Sequence, residues 1–277
     1  MAAVLAAHAP VLVLTGAGIS TESGIPDYRG PDGTRRVTPM QHGEFVGSSE
    51  ARRRYWARSF LGWQRFSVAE PNAGHRALAA LQRGGRVGTV ITQNVDGLHQ
   101  VAGTRDVVEL HGSLADVLCL TCGDRTDRDL LQARMTDANP GFAELATDVA
   151  PDGSRVSSQI RPDGDIALAD AAVTRFVLPR CLVCGADTLK PDVVFFGGSV
   201  PRERVGACYA LTDAAPALLV LGSSLRVMSG YRFVRRAAAR GIPVVVVTRG
   251  PTRGDAEATH RLDAPLGPTL AALAAGA

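Results

Sequence analysis

A glycine-rich loop directly after an apolar stretch is the feature that most constrains the fold of this chain. Residues 11–14 are typical of a buried strand, and they lead into the loop at residues 16–29. Small residues there let backbone N–H groups approach an anion, and a following helix N-terminus adds partial positive charge. Gly16 and Gly18 match the start of the dinucleotide pattern G-x-G-x-x-G, but Thr21 replaces its third glycine. The loop predicts a phosphate-containing ligand held differently from an ordinary dehydrogenase cofactor.

Continuous apolar strands alternate with helical patterns along much of the chain. Further strands are predicted at residues 87–92, 107–110, 217–221 and 244–247. Asn72 is predicted to cap a helix ended by residues 84–85, and a second helix is predicted over residues 231–240. This alternation indicates a parallel sheet with helices on both faces. The predicted fold class is α/β, with a Rossmann-like sheet.

Polar and small residues follow these strands. The carboxyl ends of parallel strands meet at one edge, where such sheets bind ligands. The segments that fall there are residues 16–18, 93–96, 111, 222–224 and 248–250. Their clustering predicts one shared binding site.

Two segments, residues 30–69 and 114–188, do not fit the alternation. We interpret them as insertions that form a smaller helical and zinc-binding lobe, the second with a polar Gly/Pro-rich middle. The run at residues 52–54 is interpreted as a solvated arginine face of a helix. A net charge of +3 is too small to indicate nucleic-acid binding.

Four of the five cysteines form two Cys-x-x-Cys pairs, Cys119 with Cys122 and Cys181 with Cys184. Four thiolates close a tetrahedral shell, so this spacing predicts one structural zinc ion. The separation between the pairs exceeds the usual ribbon spacing. The alternatives are reduced cysteines in unrelated loops or a redox pair. Cys208 is expected to be a small core residue or an inert thiol.

The odd cysteine count disfavours a secreted disulfide framework. No apolar stretch is long enough to span a membrane, and residues 1–10 lack the positive region of a signal peptide. We therefore expect a cytoplasmic protein with neither a membrane nor a nucleic-acid partner.

Several separated blocks resemble the sirtuins, the Sir2 family of NAD-dependent protein-lysine deacylases. The loop at residues 16–29, T-Q-N-V-D-G-L-H at residues 92–99 and L-H-G-S at residues 110–113 carry the resemblance, which runs from about residue 11 to the C-terminal region. The blocks at residues 41–45, 54–58, 189–197 and 229–233 resemble the class II, mitochondrial-type branch. The expected Rossmann-like NAD-binding domain comprises residues 1–35, 70–115 and 189–277. Residues 36–69 and 116–188 are expected to form the small lobe with its zinc module.

The resemblance implies that NAD is a co-substrate and that the partners are acylated-lysine proteins or peptides. The acyl oxygen would attack the ribose anomeric carbon, releasing nicotinamide, and a base would then activate the 2′-hydroxyl to give free lysine and O-acyl-ADP-ribose. His111 suits the base because its ordinary pKa is near neutrality. Asn94 is the second catalytic candidate, as a ligand of ribose or of a bound water.

The resemblance also implies the NAD contacts. Those of the first loop are Gly16, Ala17, Gly18 and Thr21 at the phosphates, and Asp27, Tyr28 and Arg29 as a flap over the nicotinamide ribose. Those after the second strand are Gln93, Asn94, Val95 and Asp96, at ribose and nicotinamide. Those toward the adenosine are Gly222, Ser223, Ser224, Thr248, Arg249, Gly250 and Leu266. The family usually has Phe at position 28 and Asn at position 248, and Thr248 is expected to weaken adenosine binding.

The substrate candidates are Val194, Phe195 and Gly197, where a substrate strand would pair with the chain by β-augmentation. The alternative is an ordinary core strand. Tyr55 and Arg58 share one helix face by their i, i+3 spacing. A desuccinylating sirtuin branch uses a Tyr-x-x-Arg pair to bind an acidic acyl group, and a phenol and a guanidinium suit a carboxylate. The alternative is a surface helix beside Trp56.

Two further functions fit the same residues. A protein mono-ADP-ribosyltransferase would direct an amino-acid nucleophile at the same activated ribose. A non-catalytic NAD and zinc sensor is the other alternative, although His111 and Asn94 argue against it. The missing third glycine disfavours a dehydrogenase.

Overall fold

The computed structural model describes residues 1–30, 34–35, 38–144, 162, 168 and 170–276. The chain divides into two compact units. The larger unit comprises Met1–Val37, Ala69–His111 and Val200–Ala277, and the smaller unit comprises Thr38–Val68 and Gly112–Ser199.

The elements of the described residues are numbered in chain order. The strands are β1 (Val11–Thr15), β2 (Val87–Thr92), β3 (Val107–Glu109), β4 (Gly112–Cys119), β5 (Arg125–Asp127), β6 (Leu189–Val193), β7 (Leu218–Leu221), β8 (Val244–Val247) and β9 (His260–Leu262). The helices are α1 (Ala2–His8), α2 (His42–Gly47), α3 (Ser49–Phe66), α4 (Ala73–Arg83), α5 (Leu98–Val101), α6 (Arg128–Ala138), α7 (Asp170–Arg175), α8 (Arg202–Ala214), α9 (Met228–Ala239) and α10 (Leu266–Ala275). Within these residues, none of the helices has the length and apolar character needed to cross a bilayer.

The larger unit is built on a six-stranded sheet in the order β3-β2-β1-β7-β8-β9. Every neighbouring pair of these strands is parallel. Strand order therefore reverses between β1 and β7, the position at which doubly wound sheets open a crevice for ligands. The α/β fold class predicted from the sequence is confirmed.

Both faces of this sheet are covered, because successive strand residues point to opposite sides. Val11 and Val13 pack with α4 and α10 through Leu78 and Leu270. On the opposite face, Leu12 and Leu14 pack with α8 and α9, with Phe233 fully buried. Burial of continuous aliphatic strands on both faces explains why they lack polar alternation.

The predicted element bounds agree closely with the structure of this unit. β2 and β8 have the predicted limits, while β3 and β7 are each one residue shorter than expected. The Asn72 side chain caps α4 by accepting bonds from Gly74 N at 2.9 Å and His75 N at 3.3 Å. Helix α9 begins at Met228, before the predicted start. The prediction of a helix following the glycines was wrong. Two three-residue 3₁₀ turns, Ala17–Ile19 and Thr21–Ser23, occupy that position.

The smaller unit contains a three-stranded antiparallel sheet in the order β5-β4-β6. β6 pairs with β4 in this unit, although residues 189–193 were assigned from the sequence to the larger domain. The polar Gly/Pro-rich middle of the second insertion, residues 145–161 and 163–167, lies outside the described residues.

One arginine corrects the expectation of a solvated face. Arg52 is only 7% exposed. Its guanidinium donates to the Phe45 carbonyl at 3.0 Å, to the Val46 carbonyl at 3.1 Å and to the Asp187 carboxylate at 3.0 and 3.1 Å. Charge-assisted bonds to carbonyls and a carboxylate replace the water that burial removes.

Candidate functional site

Two glycine-containing loops meet where strand order reverses in the larger unit. Gly16 N donates to the Leu221 carbonyl at 3.0 Å, and Gly18 N donates to the Gly222 carbonyl at 2.8 Å. Gly222 has φ +63°, and a Cβ on it would lie 2.6 Å from Ile19 N. A residue with a side chain is excluded there on both grounds. The glycines therefore allow the loops after β1 and β7 to pack backbone against backbone.

A polar network joins the first loop to the residues after β2. Asn94 Nδ2 donates to Ser20 Oγ at 3.0 Å and to the Gly16 carbonyl at 3.2 Å. Ser20 Oγ in turn donates to Asp96 Oδ2 at 2.7 Å. Burial raises the pKa of the Asp96 carboxyl, and the Ser20 bond opposes that shift. Asn94 and Asp96 are thus held by the loop that the sequence predicted to bind phosphate.

Gln93 links the same network to the loop after β7. Its Nε2 donates to Ser223 Oγ at 2.8 Å and to the Thr15 carbonyl at 3.1 Å. A Cβ at Gly230 would lie 2.6 Å from Gln93 Oε1, so the first turn of α9 approaches this amide closely. The structure brings Gln93, Asn94 and Asp96 together with both glycine loops.

His111 follows β3 and has a defined tautomer. Its Nδ1 lies 2.8 Å from the Gln93 carbonyl oxygen, which can only accept, so Nδ1 carries the proton. Nε2 lies 2.8 Å from Ser229 Oγ, whose hydroxyl donates to the Nε2 lone pair. Burial lowers the pKa of His111, although the bond to Gln93 opposes this. His111 is therefore held as a neutral imidazole whose basic atom is Nε2, which accepts the Ser229 hydroxyl.

Sequence reasoning gave no role to Ser20 or Ser229. Ser229 lies in a block that carried the family resemblance, and Ser20 lies in the glycine loop, but serine is common in any loop. Their partners are distant in sequence: Ser20 binds Asp96, and Ser229 binds His111. Only the folded sheet brings these pairs together.

The remaining NAD candidates of the first loop and of the β2 end are mostly half-buried residues of the larger unit. Thr21 Oγ1 donates to the Gly18 carbonyl at 3.0 Å. The half-buried residues are Ala17, Val95, Asp27, Tyr28 and Arg29. Arg29 forms a β-bridge with Arg35.

The adenosine candidates follow β7 and β8 and begin α10. Ser224 accepts from Arg253 N at 3.0 Å, and Thr248 N donates to the Leu262 carbonyl at 3.1 Å. Thr248 is buried and Arg249 is exposed. Gly250 N donates to Asp263, and Leu266 is buried at the first position of α10.

The chemistry of these donors fits a dinucleotide. Hydroxyl, carboxamide and carboxylate groups suit ribose hydroxyls and a carboxamide, and they surround the reversal point where parallel sheets bind nucleotides. Short 3₁₀ turns replace a helix here, so the loop lacks the dipole of a long helix, and the amides of Gly16, Gly18, Ile19 and Ser20 already donate to backbone carbonyls.

The four paired cysteines converge in the smaller unit. Their sulfur atoms all lie within 4.8 Å of one another. Cys119 Sγ lies 3.6 Å from Cys184 Sγ, and Cys122 Sγ lies 3.7 Å from Cys181 Sγ. A tetrahedron with Zn–S bonds of about 2.3 Å has edges of about 3.8 Å, so the cluster fits a structural zinc ion. Cys208 is fully buried, which raises its thiol pKa to about 11, as expected of an inert thiol.

The substrate candidates lie in the smaller unit, beyond β6. Phe195 is buried, and its ring lies 5.1 Å from Phe45 and 5.2 Å from Tyr55. Val194 is half-buried, and Gly197 is exposed with φ +79°. Tyr55 and Arg58 share α3, but Tyr55 is 1% exposed, so a surface helix was the wrong alternative for it. Arg58 Nε is buried without a hydrogen-bond partner among the described residues.

Comparisons with known proteins agree with this architecture. The Sir2 family model matches residues 16–229. The chain is 56% identical over 265 residues to NAD-dependent protein deacetylase 1 of Streptomyces coelicolor, covering 95% of this chain and 85% of that protein. It is 49% identical over 264 residues to NAD-dependent protein deacylase Sirt4 of Drosophila melanogaster, covering 94% and 81%. A solved Sir2 structure with a p53 peptide and NAD⁺ matches at a TM-score of 0.72 and 26% identity, covering 99% of this chain and 95% of that chain.

Proposed function

The chain belongs to the Sir2 family, and on that premise we propose that it is an NAD-dependent protein-lysine deacylase. It transfers the acyl group of a modified lysine to the ADP-ribosyl part of NAD, with release of nicotinamide and consumption of one water, to give free lysine and O-acyl-ADP-ribose. The observation that carries the proposal is the His111 geometry, a neutral imidazole oriented by the Gln93 carbonyl in the same unit as the polar network at the strand ends.

When bound, NAD supplies an activated ribose carbon with nicotinamide as the leaving group. Asn94 and Asp96 present their amide and carboxyl groups in fixed orientations because Ser20 binds both. Asp96 accepts from the nicotinamide amide, and Asn94 binds a ribose hydroxyl or a water. Held by two bonds, Gln93 contributes its remaining hydrogen-bonding capacity to the ribose, and Val95 meets nicotinamide through its backbone.

His111 is the general base of this proposal. Its Nε2 takes a proton from a ribose hydroxyl, and the Gln93 carbonyl stabilises the resulting imidazolium through Nδ1–H. A pKa below the ordinary value keeps the ring unprotonated and ready at neutral pH.

The zinc ion of the smaller unit is structural. Cys119, Cys122, Cys181 and Cys184 would occupy all four positions and leave none for a substrate or a water. The ion therefore stabilises the fold of this unit and takes no part in the chemistry.

An acylated peptide is proposed to pair with the segment after β6 that contains Val194, Phe195 and Gly197. Such pairing reads the peptide through backbone hydrogen bonds and leaves its side chains largely unspecified. The proposal is supported by the exposed Gly197 and the half-buried Val194, whereas the buried Phe195 ring packs into the unit and fixes the segment from inside.

The finer assignment is the class II, mitochondrial-type branch, supported by the branch-like sequence blocks and by the identity to the Drosophila Sirt4 deacylase. A preference for acidic acyl groups is a separate hypothesis. Tyr55 packs against Phe195, and the buried Arg58 Nε has no partner among the described residues, so this guanidinium has capacity for a carboxylate.

Mass spectrometry of the purified protein with NAD and acylated-lysine peptides tests the function. The panel carries acetyl, long-chain, lipoyl-like, succinyl and glutaryl groups, and His111→Ala serves as the control. Deacylated peptide with matching O-acyl-ADP-ribose, lost in His111→Ala, is the expected result. ADP-ribose added to protein without deacylation would replace the proposal by the transferase, and NAD binding without either product would replace it by the sensor.

Arg58→Ala tests the acyl preference in the same panel. We expect turnover of succinyl and glutaryl peptides to fall at least tenfold relative to the acetyl peptide, because a buried carboxylate would lose its cation. Arg65→Ala, an exposed position on the same helix, is the matched control. An unchanged ranking of acyl groups in Arg58→Ala would remove the acidic-acyl preference and leave the branch assignment and the deacylase intact.

A further inference from the structure

Lys190 is the single lysine among the 30 lysines and arginines of the sequence, and it is buried. A buried ammonium is costly unless protein groups replace its hydration. Its Nζ donates to the Pro191 carbonyl at 2.9 Å and also donates to the Val193 carbonyl. It lies 4.5 Å from the centre of the Phe195 ring, within range of a cation–π contact.

All three partners of Lys190 belong to the stretch of chain that follows it. β6 ends at Val193, and the segment at residues 193–197, which ends in a turn at Gly197, contains the candidate peptide contacts. Other contacts anchor this segment at its far end: His42 N donates to the Phe196 carbonyl at 2.7 Å, and Gly198 N donates to the Phe195 carbonyl at 2.9 Å. Lys190 supplies the matching anchor at the near end.

We propose that Lys190 is the positioning residue of this peptide-binding segment. Its ammonium gathers the Pro191 and Val193 carbonyls and the Phe195 ring into the one arrangement that an acylated peptide needs. The inference rests on the proposed function, since it assigns the segment to peptide binding. Lys190 acts through the segment and has no contact of its own with the reacting atoms.

The charge on Lys190 gives the arrangement a pH dependence. Burial lowers the pKa of Lys190 to about 8, and the Asp192 carboxylate opposes that shift. Among the ionisable groups of the surrounding elements, Arg125 on β5 binds Asp192 at 2.7 Å, Tyr55 on α3 contacts Phe195 with its ring, and Asp116 lies on β4 opposite Asp127. Above pH 8 the neutral amine loses one N–H donor and its attraction to the ring. Peptide binding should then weaken.

Steady-state kinetics with the acylated peptide varied is the first test. In Lys190→Met, we expect the peptide KM to rise about tenfold, with kcat and the KM for NAD nearly unchanged. Lys190→Arg keeps a cation and should hold the peptide KM within about threefold of wild type. The wild-type peptide KM should rise above pH 8, and that of Lys190→Arg should not, because guanidinium stays charged. The proposal would be overturned if the peptide KM of Lys190→Met equalled that of the wild type. It would also be overturned if kcat fell by the same factor as the peptide KM rose.

The single lysine allows a second test that does not depend on turnover or on a variant that folds. Protein made with ¹³C-labelled lysine gives one side-chain NMR resonance, which should titrate near pH 8 and shift on addition of acylated peptide but not of NAD alone. A resonance that titrates with an ordinary lysine midpoint and does not shift on addition of peptide would overturn the proposal, even if the enzyme is active. A peptide-induced shift without any deacylation would leave Lys190 assigned and defeat the proposed function instead.

Discussion

The two units hold their polar groups by different means. In the larger unit, an aliphatic sheet covered on both faces carries polar side chains at its strand ends, where Ser20, Asn94 and Asp96 bind one another. The smaller unit has a three-stranded sheet, a four-thiol cluster and buried cations. Two of these cations, Arg128 and Lys190, lie over aromatic rings.

Because of this difference, substitutions in the two units should affect different properties, activity in the larger unit and stability in the smaller one. Hydrophobic burial holds the larger sheet together, so its strand-end residues can be changed without loss of the fold. In the smaller unit, the thiol cluster and the buried cations add supports to an aromatic core that includes Phe60, Phe142 and Phe176. Substitutions at the sites of the larger unit should therefore lower activity first, and those in the smaller unit should lower stability first.

The largest effect is expected on removing a zinc ligand. Cys181→Ser leaves three thiolates, and structural zinc sites contribute on the order of 10 kcal/mol of apparent binding free energy. We expect loss of zinc, measured by elemental analysis, and fast amide exchange throughout β4–β6 while β1, β2 and β7 stay protected.

Cys208→Ala is the matched control, since this thiol lies in the core of the larger unit and outside the cluster. It should keep one zinc ion per chain. If Cys181→Ser retained zinc and protected amides, the thiolates would not be the support we infer.

Removing the base should have the opposite outcome to removing a zinc ligand: activity is lost and stability is kept. His111→Ala is expected to lower kcat at least 10²-fold, the usual contribution of a positioned base, while the free energy of unfolding changes by less than about 1 kcal/mol. Product formation and urea unfolding on the same samples measure both quantities. His260→Ala, on an exposed strand, should change neither. A His111→Ala protein that is inactive because it is unfolded would break the separation of the two units.

Much of the larger unit follows from local signals in the sequence. β8 was predicted to the residue because its four valines end at polar Thr248, β2 because its Val and Ile residues lie between Gly85 and Gln93, and α4 because Asn72 caps it. The 3₁₀ turns after the glycine loop were missed, since a G-x-G pattern favours a helix whether or not one follows.

The smaller unit depends on partners distant in sequence. Arg52 looked solvated among three arginines, but Asp187, 135 residues away, gives it a buried partner. The zinc site was the exception: it could be predicted because each Cys-x-x-Cys pair is a local pattern that supplies two of the four ligands. No local pattern marks a serine that binds a histidine 118 residues away, as Ser229 does.

Arg128 tests the buried-cation support directly. It donates to Gln132 at 2.7 Å and to the Ser59 carbonyl at 3.2 Å, and it lies 4.6 Å from the Trp63 ring centre. Arg128→Ala should lower the free energy of unfolding by about 3 kcal/mol, through lost bonds, lost ring contact and a cavity. Arg125→Ala, whose exposed side chain pairs with Asp192, should cost less than about 1 kcal/mol. Equal losses in urea unfolding would remove burial as the cause.

Two buried histidines make the stability of the larger unit depend on pH, which gives a further contrast with the smaller unit. Burial lowers the pKa of His75 to about 4 and of His99 to about 3. Because the unfolded rings titrate near 6.5, unfolding takes up protons below that pH, and stability falls as pH falls from 6.5 toward 3. By pH 5 the loss should reach about 2 kcal/mol per histidine.

Urea unfolding between pH 7 and pH 5 measures this loss. His75→Gln should reduce the dependence on pH by about half, and His260→Ala should leave it unchanged. If the free energy of unfolding did not change between pH 7 and pH 5, the pKa values of His75 and His99 would not be lowered in the folded state.

The smallest effect is expected at Ser229, where it also identifies what the hydroxyl does. Ser229 donates to Nε2 of His111 at 2.8 Å, a bond that favours the neutral ring and so lowers the pKa of His111. In Ser229→Ala this bond is lost, and the acid limb of the kcat/KM profile should move to higher pH. The imidazole also loses one of its two restraints, so kcat should fall about fivefold, near the free energy of one hydrogen bond. Ser229→Thr keeps the hydroxyl and should restore the wild-type profile, whereas a faster Ser229→Ala enzyme would mean that the serine blocks the base instead of orienting it.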